Sequence, residues 1–139
     1  MSEMLEKARK YEDEQGKQIK AEDRPAFHVS PYVGWMNDPN GLVEYNGVYH
    51  VFYQADPEHL INENIGWGHK ISSDLLHWEE CQPALLPDQS YDRDGCFTGS
   101  AVIKDDKMYL LYTGHVNQES GYIAVSYTHL RAHETLRHL

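Results

Sequence analysis

The chain has 139 residues, of which 40% are hydrophobic, and a formal net charge of −10 at pH 7. This length suits one domain with a sizeable core and is too short for two domains of ordinary size. The acidic balance argues against nucleic acid and membrane surfaces as partners, because both are bound through basic patches, and no apolar run approaches the ~18 residues that span a bilayer.

The first 23 residues are predicted to form a helical leader and a linker. Charged residues separate apolar ones that recur at helical spacing, and Gly16 follows as a C-terminal cap. The apolar positions are Met4, Leu5, Ala8 and Tyr11. The leader is therefore expected to lie as a surface helix on the body of the protein.

Several features of the sequence favour a cytoplasmic location. The leader is densely charged and lacks the apolar core of a signal peptide. Cys81 and Cys96 are too few for a secreted disulfide framework, and no Asn-x-Ser/Thr acceptor is present. Both thiols are expected to be reduced packing residues.

Residues 35–41, Trp-Met-Asn-Asp-Pro-Asn-Gly, hold a chemically useful set of groups. Pro39 keeps Asp38 out of the α region, and Asn40-Gly41 can supply the positive φ angles of a tight turn directly behind it. An indole, an amide and a carboxylate within four residues suit a sugar ring, its hydroxyl groups and a nucleophile or base. Taken alone, such a stretch is more often a capped turn at the start of a strand.

The next segments are typical of antiparallel β-structure. Residues 42–45 and 48–53 flank Asn46-Gly47, which is the strongest short signal for a hairpin. After a polar loop, strands are predicted over residues 67–72 and 76–79. A four-stranded antiparallel unit results.

The same pattern returns about 60 residues later. Residues 101–103 and 108–113 flank a turn at 104–107, and residues 122–126 repeat the strand predicted over 67–72. Four-stranded units arranged radially make a β-propeller.

Residues 35–41 and four later motifs, in this order and at these spacings, resemble the N-terminal part of glycoside hydrolase family 32, the invertases and sucrose-6-phosphate hydrolases. The later motifs are Phe52-Tyr53-Gln54, Trp67-Gly68-His69, Ser73-Asp74-Leu75-Leu76-His77-Trp78 and Phe97-Thr98-Gly99-Ser100. The resemblance runs from about residue 24 to about residue 126. It implies an all-β fold, about two blades of a five-bladed β-propeller, preceded by the short N-terminal helix.

Residues 127–139 do not continue the repeat. This segment turns from acidic to basic and concentrates His129, His133 and His138, whose spacing is not that of a recognised metal site, so no metal is predicted. The expected organisation is a leader and linker over 1–23, propeller blades over 24–126 and a foreign tail over 127–139.

By resemblance, Asp38 is the nucleophile of a retaining glycosidase and attacks the anomeric carbon of a fructosyl unit. The amides of Asn37 and Gln54 would meet sugar hydroxyls, and the indoles of Trp35 and Trp67 would offer apolar faces. The full implied binding set is Trp35, Asn37, Gln54, Trp67, Phe97 and Thr98. Family members supply the acid as a Glu in a Glu-Cys motif well downstream, so the acid is expected outside this chain, and no cofactor is implied.

Three functions stay open at this point. The resemblance favours hydrolysis of sucrose or sucrose 6-phosphate at the β-fructofuranoside bond, with a small carbohydrate as the partner. A fructosyltransferase or fructan hydrolase would share Asp38 and differ in the acceptor that enters the pocket. The third hypothesis is a non-catalytic propeller fragment that binds sugar or is inert, and the missing acid supports it. The nucleotide sequence beyond codon 126 would distinguish this hypothesis from the two enzymatic ones.

Overall fold

The computed structural model describes residues 3–60, 63–116 and 122–128. These residues form an N-terminal helix, a single 3-10 turn at Ala21–Asp23 and two antiparallel sheets. Sheet A has the strand order β1-β2-β3-β4, and sheet B has the order β5-β6-β7. The elements are α1 (Glu3–Gly16), β1 (Trp35–Tyr45), β2 (Val48–Asp56), β3 (Gly66–Ser72), β4 (Glu79–Glu80), β5 (Cys96–Lys104), β6 (Lys107–Gly114) and β7 (Tyr122–Thr128).

The predicted helix is confirmed, but the role predicted for Gly16 is wrong. Ala8 is buried, whereas Met4 at the start of the helix is 43% exposed. Gly16 is not among the residues with positive φ. A Cβ there would lie 2.2 Å from the Tyr32 ring, so the position needs glycine because the segment before β1 packs tightly on the end of α1.

Both predicted hairpins are present, and the same local geometry explains them. Asn46 and Gly47 have φ values of 53° and 79°, and Asp105 and Asp106 have 51° and 54°. Two successive residues with positive φ make the tight turn whose twist matches that of the flanking strands. The turns join β1 to β2 and β5 to β6.

Behind Asp38, Gly41 has the predicted positive φ, 49°, but the predicted tight turn is replaced by a continuous strand. β1 runs from Trp35 to Tyr45 and shifts its register against β2 twice, between Met36 and Pro39 and between Asn40 and Val43. Pairing with β2 continues on both sides of each shift, so the extra residues are absorbed as bulges and the chain does not reverse.

The fourth strand of sheet A lies later in the chain than predicted. Residues 72–77 form a compact loop in which the Asp74 carboxylate accepts the backbone N–H groups of Leu76 and His77 at 2.8 Å each. These bonds satisfy backbone groups that a strand would otherwise use. Pairing with β3 therefore starts only at Glu79.

The hydrophobic core lies between the two sheets. Its buried members come from β2, β3, β5 and β6 and from the loop after β4, and β1 lies against β5 at one side. Cys96 is fully buried there as a free thiol, and Cys81 is free and half-buried. The core residues are Phe52, Trp67, Leu85, Cys96, Met108, Leu110 and Tyr112.

The last described strand extends past the predicted end of the blades. β7 pairs with β6 from Tyr122, opposite Gly114, to Thr128, opposite Met108. It therefore runs two residues beyond the boundary predicted at residue 126. Residues 129–139, with their three histidines, lie outside the described residues, and their foreign origin stays a prediction.

Candidate active site

Asp38 lies in β1 at the point where the strand leaves regular pairing. Met36 pairs with Ala55 and Pro39 pairs with Tyr53, so β1 has one residue more than β2 between these pairs. A bulge of this kind turns a side chain out of the normal alternation of the strand. The Asp38 side chain is exposed, and a ligand can reach it.

β5 carries a matching bulge at Thr98. Between Phe97 and Gly99 the pairing with β6 shifts, and Thr98 is the extra residue. The Thr98 hydroxyl donates a hydrogen bond to Asp38 Oδ2 over 3.0 Å, although 60 residues separate the two. The bulges of two different sheets thus place these side chains in contact.

Gln54 completes a chain of hydrogen bonds. This residue of β2 is buried, and its Nε2 donates to Thr98 Oγ1 over 3.3 Å. The hydroxyl has a single proton, which it donates in the hydrogen bond to Asp38, and it accepts the hydrogen bond from Gln54 with a lone pair. Three of the predicted site residues are therefore brought together in the order Gln54, Thr98, Asp38.

Three more predicted residues lie close by in the same strands. Trp35 begins β1 and is half-buried, and Asn37 is exposed directly before Asp38. Phe97 is half-buried and stacks on His115, with ring centroids 4.5 Å apart and planes 14° apart. Contact of these three residues with a sugar stays a prediction.

Trp67 does not fit its predicted role as an apolar face for a sugar. Its side chain is 0% exposed and lies in the core, with its ring 6.0 Å from that of Phe52. Its Nε1–H donates to the Phe97 carbonyl oxygen over 3.2 Å. Trp67 therefore links β3 to β5 next to Thr98, and it supports the site from the hydrophobic core.

Asn40 is a site residue that the sequence interpretation missed. The sequence predicts a turn at Asn40, but its side chain is 3% exposed, and its Oδ1 accepts the backbone N–H of Gly99 over 3.2 Å. The bond joins β1 to β5 one residue beyond Thr98. An Asn before a Gly is so often a turn residue that the local pattern gives no signal for this longer contact.

The sequence contains one Glu-Cys pair, Glu80-Cys81, and its position rules it out as the acid. Glu80 is in β4, three strand positions from β1, which is about 14 Å at the usual spacing of strands. Its carboxylate accepts the Tyr53 hydroxyl over 3.0 Å and pairs with Lys70. A retaining glycosidase needs its acid about 5 Å from the nucleophile.

Burial dominates the electrostatics around Glu80. It raises the pKa of Glu80, and Lys70 opposes that rise. On the facing helix, burial and the nearby Glu80 raise the pKa of Glu12 to about 8. These groups lie between α1 and sheet A, so they belong to the packing of the leader.

The acidic loop before β5 is also structural. Asp92 is 1% exposed, and its carboxylate accepts the Tyr112 hydroxyl over 2.6 Å and the Gln89 N–H over 2.8 Å. Burial and the bond to Asp92 raise the pKa of Tyr112. Asp94 donates its backbone N–H to the His115 carbonyl over 3.1 Å. This loop fixes the entry of the chain into β5.

The described part of the chain holds neither a cluster of metal ligands nor a helix that could span a membrane. Among residues 3–60, 63–116 and 122–128, no three His, Cys, Asp or Glu side chains are grouped to hold a metal ion. No helix in that part of the chain has both the length and the apolar character for crossing a membrane. A cofactor-free reaction and a cytoplasmic location stay predictions.

Comparison with known sequences gives a consistent set of matches. The family model for the glycosyl hydrolases family 32 N-terminal domain matches residues 28–136. A raffinose invertase of Escherichia coli is 52% identical over 66% of the chain, and a sucrose-6-phosphate hydrolase of Zymomonas mobilis is 48% identical over 81%. The chain covers only 19% and 22% of these two relatives.

Solved structures give the same result for the fold. A mutant β-fructofuranosidase of Bombyx mori in complex with sucrose matches with a TM-score of 0.82 and 34% identity, over 93% of this chain and 28% of that one. Fructan 1-exohydrolase IIa of Cichorium intybus matches with a TM-score of 0.71 and 36% identity, over 86% and 23%. The predicted fold, the N-terminal part of a β-propeller behind a short helix, is confirmed.

Proposed function

The chain belongs to glycosyl hydrolase family 32, and on that premise we propose that the whole protein hydrolyses the β-fructofuranoside bond of sucrose or sucrose 6-phosphate. The observation that carries the proposal is the Asp38 carboxylate, which is exposed at a bulge and held on one oxygen by Thr98. The similar invertase and sucrose-6-phosphate hydrolase support the substrate class.

In the proposed reaction, Asp38 acts as the nucleophile. Thr98 binds Oδ2, and we assign the attack on the anomeric carbon to Oδ1. As the new C–O bond forms, the bond to the leaving oxygen breaks, and that oxygen takes a proton from an acid outside this chain. Water then attacks the fructosyl ester and releases fructose with retained configuration.

The substrate would lie against the ends of β1 and β5. Asn37 offers an amide beside the nucleophile, and the half-buried rings of Trp35 and Phe97 offer apolar surface for a furanose ring. Gln54 is buried behind Thr98 and would act on the sugar mainly through that hydroxyl.

The test is product release by a full-length protein that contains this sequence. Wild type should release glucose and fructose from sucrose, and Asp38→Asn, which keeps the shape and removes the anion, should lower kcat by several orders of magnitude. Asp105→Asn is a matched control, because Asp105 is exposed in the β5–β6 turn and Asn tolerates its positive φ. Near-normal turnover by Asp38→Asn would sink the assignment.

A fructan hydrolase or fructosyltransferase is the second candidate. It is favoured by the structural match to a fructan 1-exohydrolase, which is as similar in sequence as the sucrose-bound neighbour. Parallel assays with inulin and with sucrose as substrate distinguish the two candidate functions. Faster release of fructose from inulin would indicate a fructan hydrolase, and oligosaccharide products from sucrose would indicate a transferase.

A further inference from the structure

We propose that Asn40 and Thr98 form a clamp between β1 and β5 that positions the Asp38 carboxylate for attack. The proposal rests on the proposed function, because it takes Asp38 as the nucleophile. It assigns Asn40 as a positioning residue and gives Thr98 a second role besides contact with the sugar.

The clamp consists of two hydrogen bonds between strands of different sheets. Thr98 in β5 donates to Asp38 in β1 over 3.0 Å, and Gly99 in β5 donates its N–H to Asn40 in β1 over 3.2 Å. β1 and β5 share no backbone ladder, because they belong to sheets A and B. At this point, hydrogen bonds through the Thr98 and Asn40 side chains join the two strands.

The orientation of the Asn40 amide follows from its partner. A backbone N–H can only donate, so the atom that faces Gly99 must be Oδ1. Nδ2 is then buried and has no hydrogen-bond partner among the described residues. A buried donor without a partner costs folding free energy. A smaller apolar residue would avoid that cost, which indicates that the bond through Oδ1 matters here.

β1 approaches β5 so closely here that position 41 needs glycine. A Cβ on Gly41 would lie 2.9 Å from the Ala101 Cβ, across the two sheets. Gly99 is held against its own partner strand, because a Cβ there would lie 1.9 Å from the Leu111 carbonyl oxygen of β6. The clamp therefore joins backbones that have little freedom to move, as accurate positioning of a reacting group requires.

The single hydroxyl proton of Thr98 distinguishes a role in positioning Asp38 from a role in binding the sugar. The hydroxyl has one proton, which it donates to Asp38, and it accepts from Gln54. To donate to a sugar, Thr98 would have to break its bond to the nucleophile. In the resting site Thr98 thus orients Asp38, and Gln54 orients Thr98.

The kinetic test uses the full-length enzyme with Thr98→Val, which keeps the shape and removes the hydroxyl, and Thr98→Ser, which restores it. Thr98 is exposed, so neither change should disturb folding. Positioning predicts that Thr98→Val lowers kcat about 10- to 100-fold with KM within about 2-fold, and that Thr98→Ser stays within about 3-fold of wild type. A raised KM with unchanged kcat would assign Thr98 to substrate binding alone and overturn the proposal.

A second test needs no turnover and uses the same full-length protein. Hydrogen exchange of the Gly99 amide reports the bond to Asn40 directly. Asn40→Asp keeps the accepting oxygen and should keep the amide protected, whereas Asn40→Leu should speed its exchange at least about 10-fold while the Met108 amide in the core is unchanged. Equal protection of Gly99 in both variants would show that the clamp does not exist.

The two tests also separate failure of the clamp from failure of the proposed function. If wild-type full-length protein released no fructose from any fructoside, the nucleophile assignment and the positioning role would fall together. The exchange result for Gly99 would still decide whether Asn40 joins the strands. If activity is present and Thr98→Val turns over at the wild-type rate, only the positioning role is wrong.

Discussion

Sheet A and sheet B break the pairing of their first strand at equivalent places, but with different residues. In β1 the extra residue lies between Met36 and Pro39, and in β5 it is Thr98. Asp38 and Thr98 are 60 residues apart and touch. The same bulge in two repeats therefore aims two side chains at one point, and the repeat supplies the geometry while the residue type supplies the chemistry.

The sheets differ in what surrounds that shared bulge. β1 has a second register shift, between Asn40 and Val43, which β5 lacks. Sheet A also holds a buried pair, His50 and His69, whose ring nitrogens are 3.0 Å apart. Sheet A thus carries Asp38, the proposed nucleophile, and also a buried histidine pair that we expect to make it sensitive to acid.

The largest expected effect concerns the general acid, which we expect neither sheet to supply. Residues 1–139 alone should release no glucose or fructose from sucrose beyond an Asp38→Ala control. Loss of a general acid costs typically about 10²- to 10⁴-fold, and two sheets cannot close a propeller to form the opposite wall of a pocket. Release above the control would show that a carboxylate of this chain, such as Asp94, serves as the acid.

The shared bulge itself can be broken from sheet B. Gly99→Ala places a Cβ 1.9 Å from the Leu111 carbonyl oxygen, and backbone cannot yield cheaply, so we expect a loss of about 3 kcal/mol in the free energy of unfolding. Gly47→Ala in the sheet A hairpin is the control. It meets open space and has only its φ of 79° to strain, for about 1 kcal/mol. Equal losses in urea unfolding would contradict the crowding seen at Gly99.

We expect low pH to destabilise sheet A more than sheet B. Burial, with His50 nearby, lowers the pKa of His69 to about 3, and burial lowers the pKa of His50. The unfolded chain then binds more protons below pH 6.5, so stability is full above pH 6.5 and falls between pH 6.5 and about 3. For His69, urea unfolding should show a loss of roughly 2–3 kcal/mol between pH 7.5 and 4.5.

A variant shows whether this acid sensitivity comes from the pair. His69→Gln should flatten the pH dependence, whereas the control His28→Gln, at an exposed position before β1, should leave it unchanged. Hydrogen exchange at pH 4.5 should show loss of protection in sheet A before sheet B. An unchanged slope in His69→Gln would show that His69 does not cause the acid sensitivity.

The smallest expected effect concerns the tail. If the segment after β7 is foreign to the fold, deleting residues 129–139 should change the free energy of unfolding by less than about 0.5 kcal/mol. Chemical denaturation of the two chains measures this. Strong protection of amides from 130 to 139 in hydrogen exchange, or a large loss on deletion, would show that the segment is a genuine part of the blade.

Turn chemistry and strand periodicity were sufficient to predict both hairpins and most of the strands. The hairpin at Asn46-Gly47 and its repeat at Asp105-Asp106 were predictable because positive φ is a property of a few adjacent residues. The fourth strand was misplaced because Asp74 competes for backbone N–H groups, and that competition depends on how its side chain turns.

By itself, the sequence determined the local elements, the family and the choice of Asp38 and Thr98 as site residues. Only the tertiary structure decided that Thr98 binds Asp38, that Asn40 holds Gly99 and that the Trp67 ring is core and not pocket. The physical reason is that alternation along a strand separates its two faces but does not say which face meets the other sheet. Packing of sheet A on sheet B settles that, and with it the contacts between residues 60 positions apart.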